Sequence, residues 1–235
     1  MKVNKRVLII ILGCVIALAI SSLLNFTYYE EYKLFYSSED FGITVIKSDV
    51  DANNNGIDDY TDILEGARID AYNHPVYDGR YWNLGYPPDN IGVCTDVIWR
   101  AFKHAGYNLR AMLDNDIEKY NKEYYKIKHP DTNIDFRRVG NLHLFFMKYA
   151  EVLTNDISKL EEWQPGDIVV FGYDTVHIGI ISNKRNRKGE PYVIHNSGQE
   201  EREEDILAIR NEIDPITGHF RWNAKDLEDV IVYFK

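Results

Sequence analysis

Gly92-Val93-Cys94-Thr95-Asp96-Val97-Ile98-Trp99-Arg100-Ala101-Phe102-Lys103-His104-Ala105-Gly106 is the stretch on which the reading of the fold rests. Val97, Ile98, Ala101, Phe102 and Ala105 recur at helical spacing, and Gly106 supplies a stop. Cys94 stands in the first turn of that helix, after a glycine-containing loop. Free amides and the dipole at a helix N-terminus favour a thiolate and can hold an oxyanion beside it. A buried cysteine acting as a small apolar side chain fits the same spacing.

Toward the C-terminus the pattern changes period. A second helical pattern covers Asn141–Leu153, with Leu142, Phe145, Phe146, Tyr149 and Val152 on one side. Trp163-Gln164-Pro165-Gly166-Asp167 is a turn signal, followed by short apolar runs at Ile168–Phe171, His177–Ile181, Tyr192–His195 and Val230–Phe234. The polar segment 183–190 reads as a hairpin loop, and 200–205 as an exposed acidic stretch. Helices first and strands last predict an α+β domain with a mainly antiparallel sheet.

Toward the N-terminus, Lys2, Lys5 and Arg6 precede an apolar run from Val7 to Leu24. Its length and charge asymmetry predict an uncleaved membrane anchor over 1–24, with the remainder outside the cytoplasmic membrane. A cleaved signal peptide, which would make the protein secreted, and lipidation at Cys14 are the alternatives. Residues 25–48 read as a linker or neck, 49–66 as a metal-binding loop with the start of a helix, and 67–235 as the main domain. The chain of 235 residues carries 27 basic against 37 acidic side chains. That balance argues against a nucleic-acid groove. It gives no basis for choosing an oligomeric state.

Besides Cys14 the chain has one cysteine, so Cys94 has no partner in the main domain. A nucleophilic thiol needs a base. If the runs around 177–181 and 192–195 pair as a hairpin, His177 and His195 come together at one end of the sheet. His177 would then take the thiol proton, and His195, or alternatively Asn196, would orient it. The same three side chains, Cys94, His177 and His195, form a possible zinc set.

Asp51, Asn53, Asn55, Gly56, Asp59 and Asp62 fall at positions 1, 3, 5, 6, 9 and 12 of an oxygen-rich loop, with the Ile57 carbonyl at position 7. Such spacing suits a structural Ca²⁺. It resembles the single Asp-rich calcium loops of extracellular proteins, and the bland alternative is a solvated turn. No organic cofactor is expected.

Several stretches together resemble the bacterial domain-of-unknown-function family 1287. They are Gly92–Val97, Asp131–Asp135, Arg137-Arg138-Val139, Asn141-Leu142, Trp163, Gly166–Val169, His177–Ile180, Val193–Asn196 and Gly218-His219-Phe220. The likeness runs from about Ala67 to the C-terminus. That family is related to the NlpC-type, papain-like cell-wall cysteine peptidases. The resemblance implies a nucleophile helix packed on an antiparallel sheet, with Cys94, His177 and His195 as nucleophile, base and orienting residue. Val93 stands where those peptidases usually have Asp, and Thr95-Asp96 where they have Ser-Gly, which implies a different substrate pocket. Tyr86, Asp96, Asp131, Asn133, Asp135, Arg137, Arg138 and Asn196 are candidate substrate or supporting residues. An arginine there could bind a peptide carboxylate, or the group could be an internal polar network. The implied activity is cleavage of cell-wall peptide amides through a thioester. A non-catalytic calcium-stabilised binding domain, an acyltransferase and a zinc hydrolase are the alternatives.

Overall fold

The computed structural model describes residues 11, 13–23, 35–124, 127–174 and 176–234. The chain divides into two compact units, Met1–Tyr36 and Ser37–Lys235.

In the first unit the described residues 13–23 are helical and exposed. At about 1.5 Å per residue they rise about 16 Å, roughly half of a ~30 Å hydrocarbon core. Among the described residues no helix is long and apolar enough to cross a membrane. The expected anchor, the membrane as partner and the membrane-tethered location are corrected accordingly. The flanking Lys2, Lys5 and Arg6 lie outside the described residues.

The second unit begins inside the segment read as a neck. Ser38 is buried and accepts a hydrogen bond from Arg185 Nε at 3.0 Å. Helix α1 spans Asp59–Asn73. Asp58 caps it by accepting from the Thr61 N–H and hydroxyl. A short parallel pair follows, β1 (Val76–Tyr77) and β2 (Ile91–Gly92). Helix α2, Cys94–His104, then buries Cys94, Val97, Ile98, Ala101 and Phe102 as its spacing predicts. Gly66 lets α1 and α2 touch: a Cβ there would lie 2.8 Å from Ala101 Cα. Helices α3 (Leu109–Tyr120) and α4 (Val139–Tyr149) complete the helical layer.

The sheet has six strands in the order β3-β8-β4-β5-β6-β7, and every neighbouring pair is antiparallel. The strands are β3 (Glu151–Val152), β4 (Ile168–Phe171), β5 (His177–Arg185), β6 (Pro191–Ile194), β7 (Glu203–Glu204) and β8 (Ile216–Arg221). Alternation along the strands supplies two cores. Ile168, Val170, Ile178, Ile180, Ile194 and Phe220 join the core that includes α2. Val169, Phe171, Ile181 and Val193 join Trp163 and Leu207 of helix α5 (Leu207–Ile213).

The α+β class and the antiparallel sheet are as the sequence predicts, with local corrections. Residues 230–234 do not form a strand; Tyr233 makes one isolated bridge to Tyr107. The strand beside β4 is β8, on 216–221. The helix expected over 141–153 stops at Tyr149, and Glu151-Val152 join the sheet edge.

Candidate functional site

Strand register brings the two histidines together. Ile180 lies opposite Ile194 and Ile181 opposite Val193, which puts Gly179 opposite His195. A Cβ on Gly179 would lie 3.3 Å from His195 Cβ. Its absence lets the His195 ring lean along the strand toward His177. The rings meet at right angles, with His177 Nε2 2.9 Å from His195 Nδ1. The second nitrogen of His195, Nε2, lies 2.9 Å from Glu204 Oε2. Ser197 Oγ lies 3.4 Å from His177 Nε2 and 3.3 Å from His195 Nδ1.

Cys94 sits at the N-terminus of α2, where the helix meets β5. The backbone amides of Ile178 and Thr95 act on its thiol to favour the charged form, and Cys94 and Ile178 lie in the same core. Cys94, His177 and His195 are 6 %, 5 % and 4 % exposed, so the site is nearly closed.

Burial decides the charge state. It pushes the Cys94 thiol up to about 11, against the helix N-terminal amides that pull it down, and the Asp96 carboxylate adds to the rise. The helix-terminus thiolate expected from sequence is therefore corrected to a neutral thiol. Burial also lowers His177 to about 3, with His195 and Arg210 acting in the same direction. Both groups are thus neutral at rest, and no contact between them occurs among the described residues.

The supporting candidates divide sharply. Asp96, fully buried, accepts from the Val93 N–H at 2.7 Å, from Trp99 Nε1 at 2.7 Å, and from Arg137 Nε and Nη2 at 2.8 and 2.9 Å. Thr95 Oγ1 donates to the Arg137 carbonyl. Asp96 and Arg137 therefore clamp the first turn of α2. Asn196 donates to the carbonyls of Pro75 and Gly92, tying β6 to the loop before Cys94. His195, not Asn196, meets His177.

Tyr86 packs instead against Trp99, Phe136 and the Arg110 guanidinium. Asp131 accepts from Tyr81 Oη and the Asn133 N–H, and Asn133 donates back to Tyr81. Asp135 accepts from the Asp131 N–H and from Arg138 Nη1. These contacts tie the loop to itself and to Tyr81, with the Tyr81–Asp131 contact and Arg138 exposed. Trp163, Asp167 and His219 also lie apart from the thiol: the His219 ring stacks on Trp163 at 3.7 Å, and its Nε2 meets Asp167.

In the 51–62 loop, Asp51 accepts from the N–H groups of Asn55 and Gly56. The amides of Asn53 and Asn55 both reach the Asp62 carboxylate. The Ile57 N–H donates to Asn55 Oδ1, and Gly56 adopts φ +89°. Asp59 turns inward, accepting from the Ala52 N–H and the Tyr107 hydroxyl. Two amides thus converge on Asp62 through their nitrogens, while their oxygens accept from the Asn55 and Ile57 N–H groups and Asp51 accepts from the backbone of the turn. This donor set fits a hard cation better than a soft one. Asn53 also donates to the His104 carbonyl at 2.9 Å, so the loop clasps the far end of α2.

Among the described residues no group of three or more His, Cys, Asp or Glu side chains is arranged to hold a metal ion. His177 and His195 spend facing nitrogens on each other, which disfavours the zinc alternative. A cavity of about 380 Å³ is separate from the thiol, lined by residues that include Asp70, Trp99, Arg100, Lys103 and His104. Glu204 and Ser197 were not legible as site residues. Their one signal is proximity in sequence to the strand that ends in His195.

These features define an α+β protein with a buried thiol at a helix N-terminus and a hydrogen-bonded imidazole pair on an antiparallel sheet. Residues 64–222 match the family described as "Domain of unknown function (DUF1287)", and the chain belongs to that family. It is 38 % identical over 173 residues to the uncharacterized protein YijF of Escherichia coli (strain K12), an alignment covering 69 % of this chain and 82 % of the relative. No solved structure matches the chain.

Proposed function

We propose that the protein is a cysteine hydrolase acting on peptide amides, with cell-wall peptides as substrates. The observation that carries this reading is the seat of the Cys94 sulfur. Cys94 opens helix α2 in the core it shares with Ile178 of β5, while His177, which begins β5, is bonded to a second imidazole. The likeness to NlpC-type, papain-like peptidases supports the same assignment.

The chemistry follows from a neutral pair. His177 Nε2 is engaged by His195, which leaves Nδ1 for the thiol proton. Sγ attacks the amide carbonyl carbon as its proton passes to Nδ1, and the carbonyl π pair moves to oxygen. Backbone N–H groups at the start of α2 stabilise that oxyanion. The imidazolium then protonates the leaving amine as the C–N bond breaks, giving a thioester. Water, deprotonated by His177, releases the acid and restores the thiol. No thiol–imidazole hydrogen bond occurs among the described residues, so this chemistry requires the thiol and Nδ1 to come together when substrate binds. Such contacts often tighten only in the substrate complex.

The reading extends to a structural Ca²⁺ in the 51–62 loop. It would be held by Asp51, Asn53, Asn55 and Asp62, with the Ile57 carbonyl as a further oxygen. The oxygen-rich spacing, and the approach of Asn53 and Asn55 to Asp62, support it.

Incubation of the protein with peptidoglycan peptides, followed by mass analysis, tests the activity. Paired products that sum to substrate plus water are expected, and none with C94A or H177A. Equal cleavage by C94A, or no cleavage across a panel of stem peptides, would overturn the proposal.

A further inference from the structure

A guanidinium taken out of water needs an anion or a full set of acceptors. Arg137 is paired with Asp96, Arg221 with Asp167, Arg68 with Glu203 and Arg100 with Asp70. Arg185 shows the other solution. It has no carboxylate in its hydrogen bonds, but it donates to Ser38 Oγ and to the carbonyls of Leu160, Gly189 and Trp163.

Arg202 has neither. It is 8 % exposed, and among the described residues no carboxylate lies within ion-pair distance of it. Its Nη1 donates to Gln199 Oε1 at 3.2 Å and its Nη2 to the Pro75 carbonyl at 3.1 Å, a carbonyl that Asn196 also uses. Its Nε is buried with no partner. A guanidinium carries five N–H donors, so more than half of this one's capacity is unmet. The Nε atoms of Arg100 and Arg210 are bare as well, yet each of those side chains holds a carboxylate. Burial pulls Arg202 below the ordinary arginine value, and Asp70 and Glu204 oppose this only at longer range.

This under-satisfied cation stands beside the imidazole pair. The Arg202 carbonyl accepts from the His195 N–H at 2.9 Å. Gln199 Oε1 accepts from the Ser197 N–H as well as from Arg202, and Gln199 Nε2 donates to the His195 carbonyl at 3.1 Å. One side chain therefore separates the guanidinium from His195, whose ring meets His177. The segments around Pro75 and Gln199 that hold Arg202 reach the surface at Val76, Tyr77, Ser197 and Gly198. They meet where a Cβ on Gly198 would lie 3.3 Å from Tyr77 Cβ. The arginines singled out in the sequence, Arg137 and Arg138, are bonded instead to Asp96 and Asp135.

We propose that Arg202 binds a free carboxylate of the peptide substrate. The carboxylate accepts from the N–H groups that Gln199 and Pro75 leave unused, and it supplies the negative charge that this buried cation lacks. A neutral amide in the same place brings no charge and leaves the guanidinium uncompensated. The role is recognition; Arg202 transfers no proton. That the bound carboxylate belongs to a substrate rests on the cysteine-hydrolase reading, whereas the anion site itself does not.

The probes are a cell-wall stem tripeptide with its carboxylates free and the same tripeptide fully amidated. Calorimetric titration of the full chain carrying Cys94→Ala should show the free form binding at least about tenfold tighter, the scale of one charged hydrogen bond. Adding Arg202→Gln should abolish that preference, and Arg202→Lys should keep part of it. A ¹H–¹⁵N spectrum of the arginine Nε–H groups reads the contact in the wild-type chain. The signal missing from Arg202→Lys identifies Arg202. It should shift with the free tripeptide and stay in place with the amidated one.

Equal binding of the two tripeptides, or binding of neither, would overturn the proposal. So would an Arg202 signal that the free tripeptide leaves unmoved, or a preference that survives in R202Q. If the free tripeptide binds through Arg202 but the wild type cleaves no peptide, the anion site stands and the hydrolase reading falls. If the wild type cleaves both tripeptides equally well and the Arg202 signal does not move, the hydrolase reading stands and this inference falls.

Discussion

Lowering the pH from 7 to 4.5 should destabilise the protein by about 3 kcal/mol through His177 alone. The imidazole is 5 % exposed, and its folded-state value lies near 3. In the unfolded chain it takes up a proton below about 6.5. Between those values the unfolded state holds more protons, so acid favours unfolding. The contribution is complete above pH 6.5 and fully lost below about 3. Across the whole window it amounts to about 5 kcal/mol, from a depression of about 3.5 units at 1.36 kcal/mol each. At pH 4.5 about two of those units have been spent, which is the 3 kcal/mol.

Urea unfolding of wild type and His177→Gln at pH 7 and 4.5 isolates this contribution, because the other titrating groups are common to both proteins. The variant should lose about 3 kcal/mol less than wild type on acidification. A parallel loss, equal within about 0.5 kcal/mol, would refute a desolvated His177. It would also remove the reason for expecting a neutral base in the resting site.

Alkylation of Cys94 by iodoacetamide should be slow at pH 7 and rise about tenfold per unit up to about pH 11, whereas the urea-unfolded chain should level off near 9; a flat profile through neutrality would instead indicate a thiolate–imidazolium pair. Asp96→Asn leaves the Arg137 guanidinium buried without its anion and should cost about 3–5 kcal/mol in chemical denaturation; a loss below about 1 kcal/mol would contradict the clamp. Gly166→Ala sets a Cβ 2.5 Å from the Tyr60 carbonyl oxygen at φ +88° and should lower the melting temperature by several degrees, which calorimetry reads directly. Added Ca²⁺ should raise the melting temperature of wild type and not of an Asp51→Asn/Asp62→Asn double variant; equal shifts in both would remove the calcium loop from the proposal.

What could be read in the sequence was what periodicity controls. Helix α2 was legible because Val97, Ile98, Ala101 and Phe102 repeat at helical spacing. The β5–β6 pairing was legible because two short apolar runs flank a polar turn. Strand β8 was missed because Gly218 and His219 interrupt its apolar pattern, and His219 is buried only through its stack on Trp163 and its bond to Asp167. Glu204 was read as part of a solvated acidic run, since a two-residue strand has no period to betray its register. The thiol's charge state was misjudged for a different reason. A helix N-terminus stabilises a thiolate by a local, directional effect, whereas desolvation depends on everything packed around the sulfur, and here it is the larger.

Both ends of α2 are held by side chains from elsewhere in the chain. At its start Asp96 takes the Val93 N–H and the Arg137 fork; at its end the His104 carbonyl accepts from Asn53, and Gly106 packs against Asn53 at a separation that leaves little room for a Cβ. A helix pinned at both ends does not shift to bring its first residue to a base. The strand carrying His177 is equally constrained, paired on both sides by β4 and β6. Alternation along that strand seats Ile178 in the core that holds Cys94 and turns His177 to the face of its cross-strand partner Phe171. With α2 pinned and β5 paired on both sides, a thiol–imidazole contact requires a change at the start of β5 and not a shift of the helix.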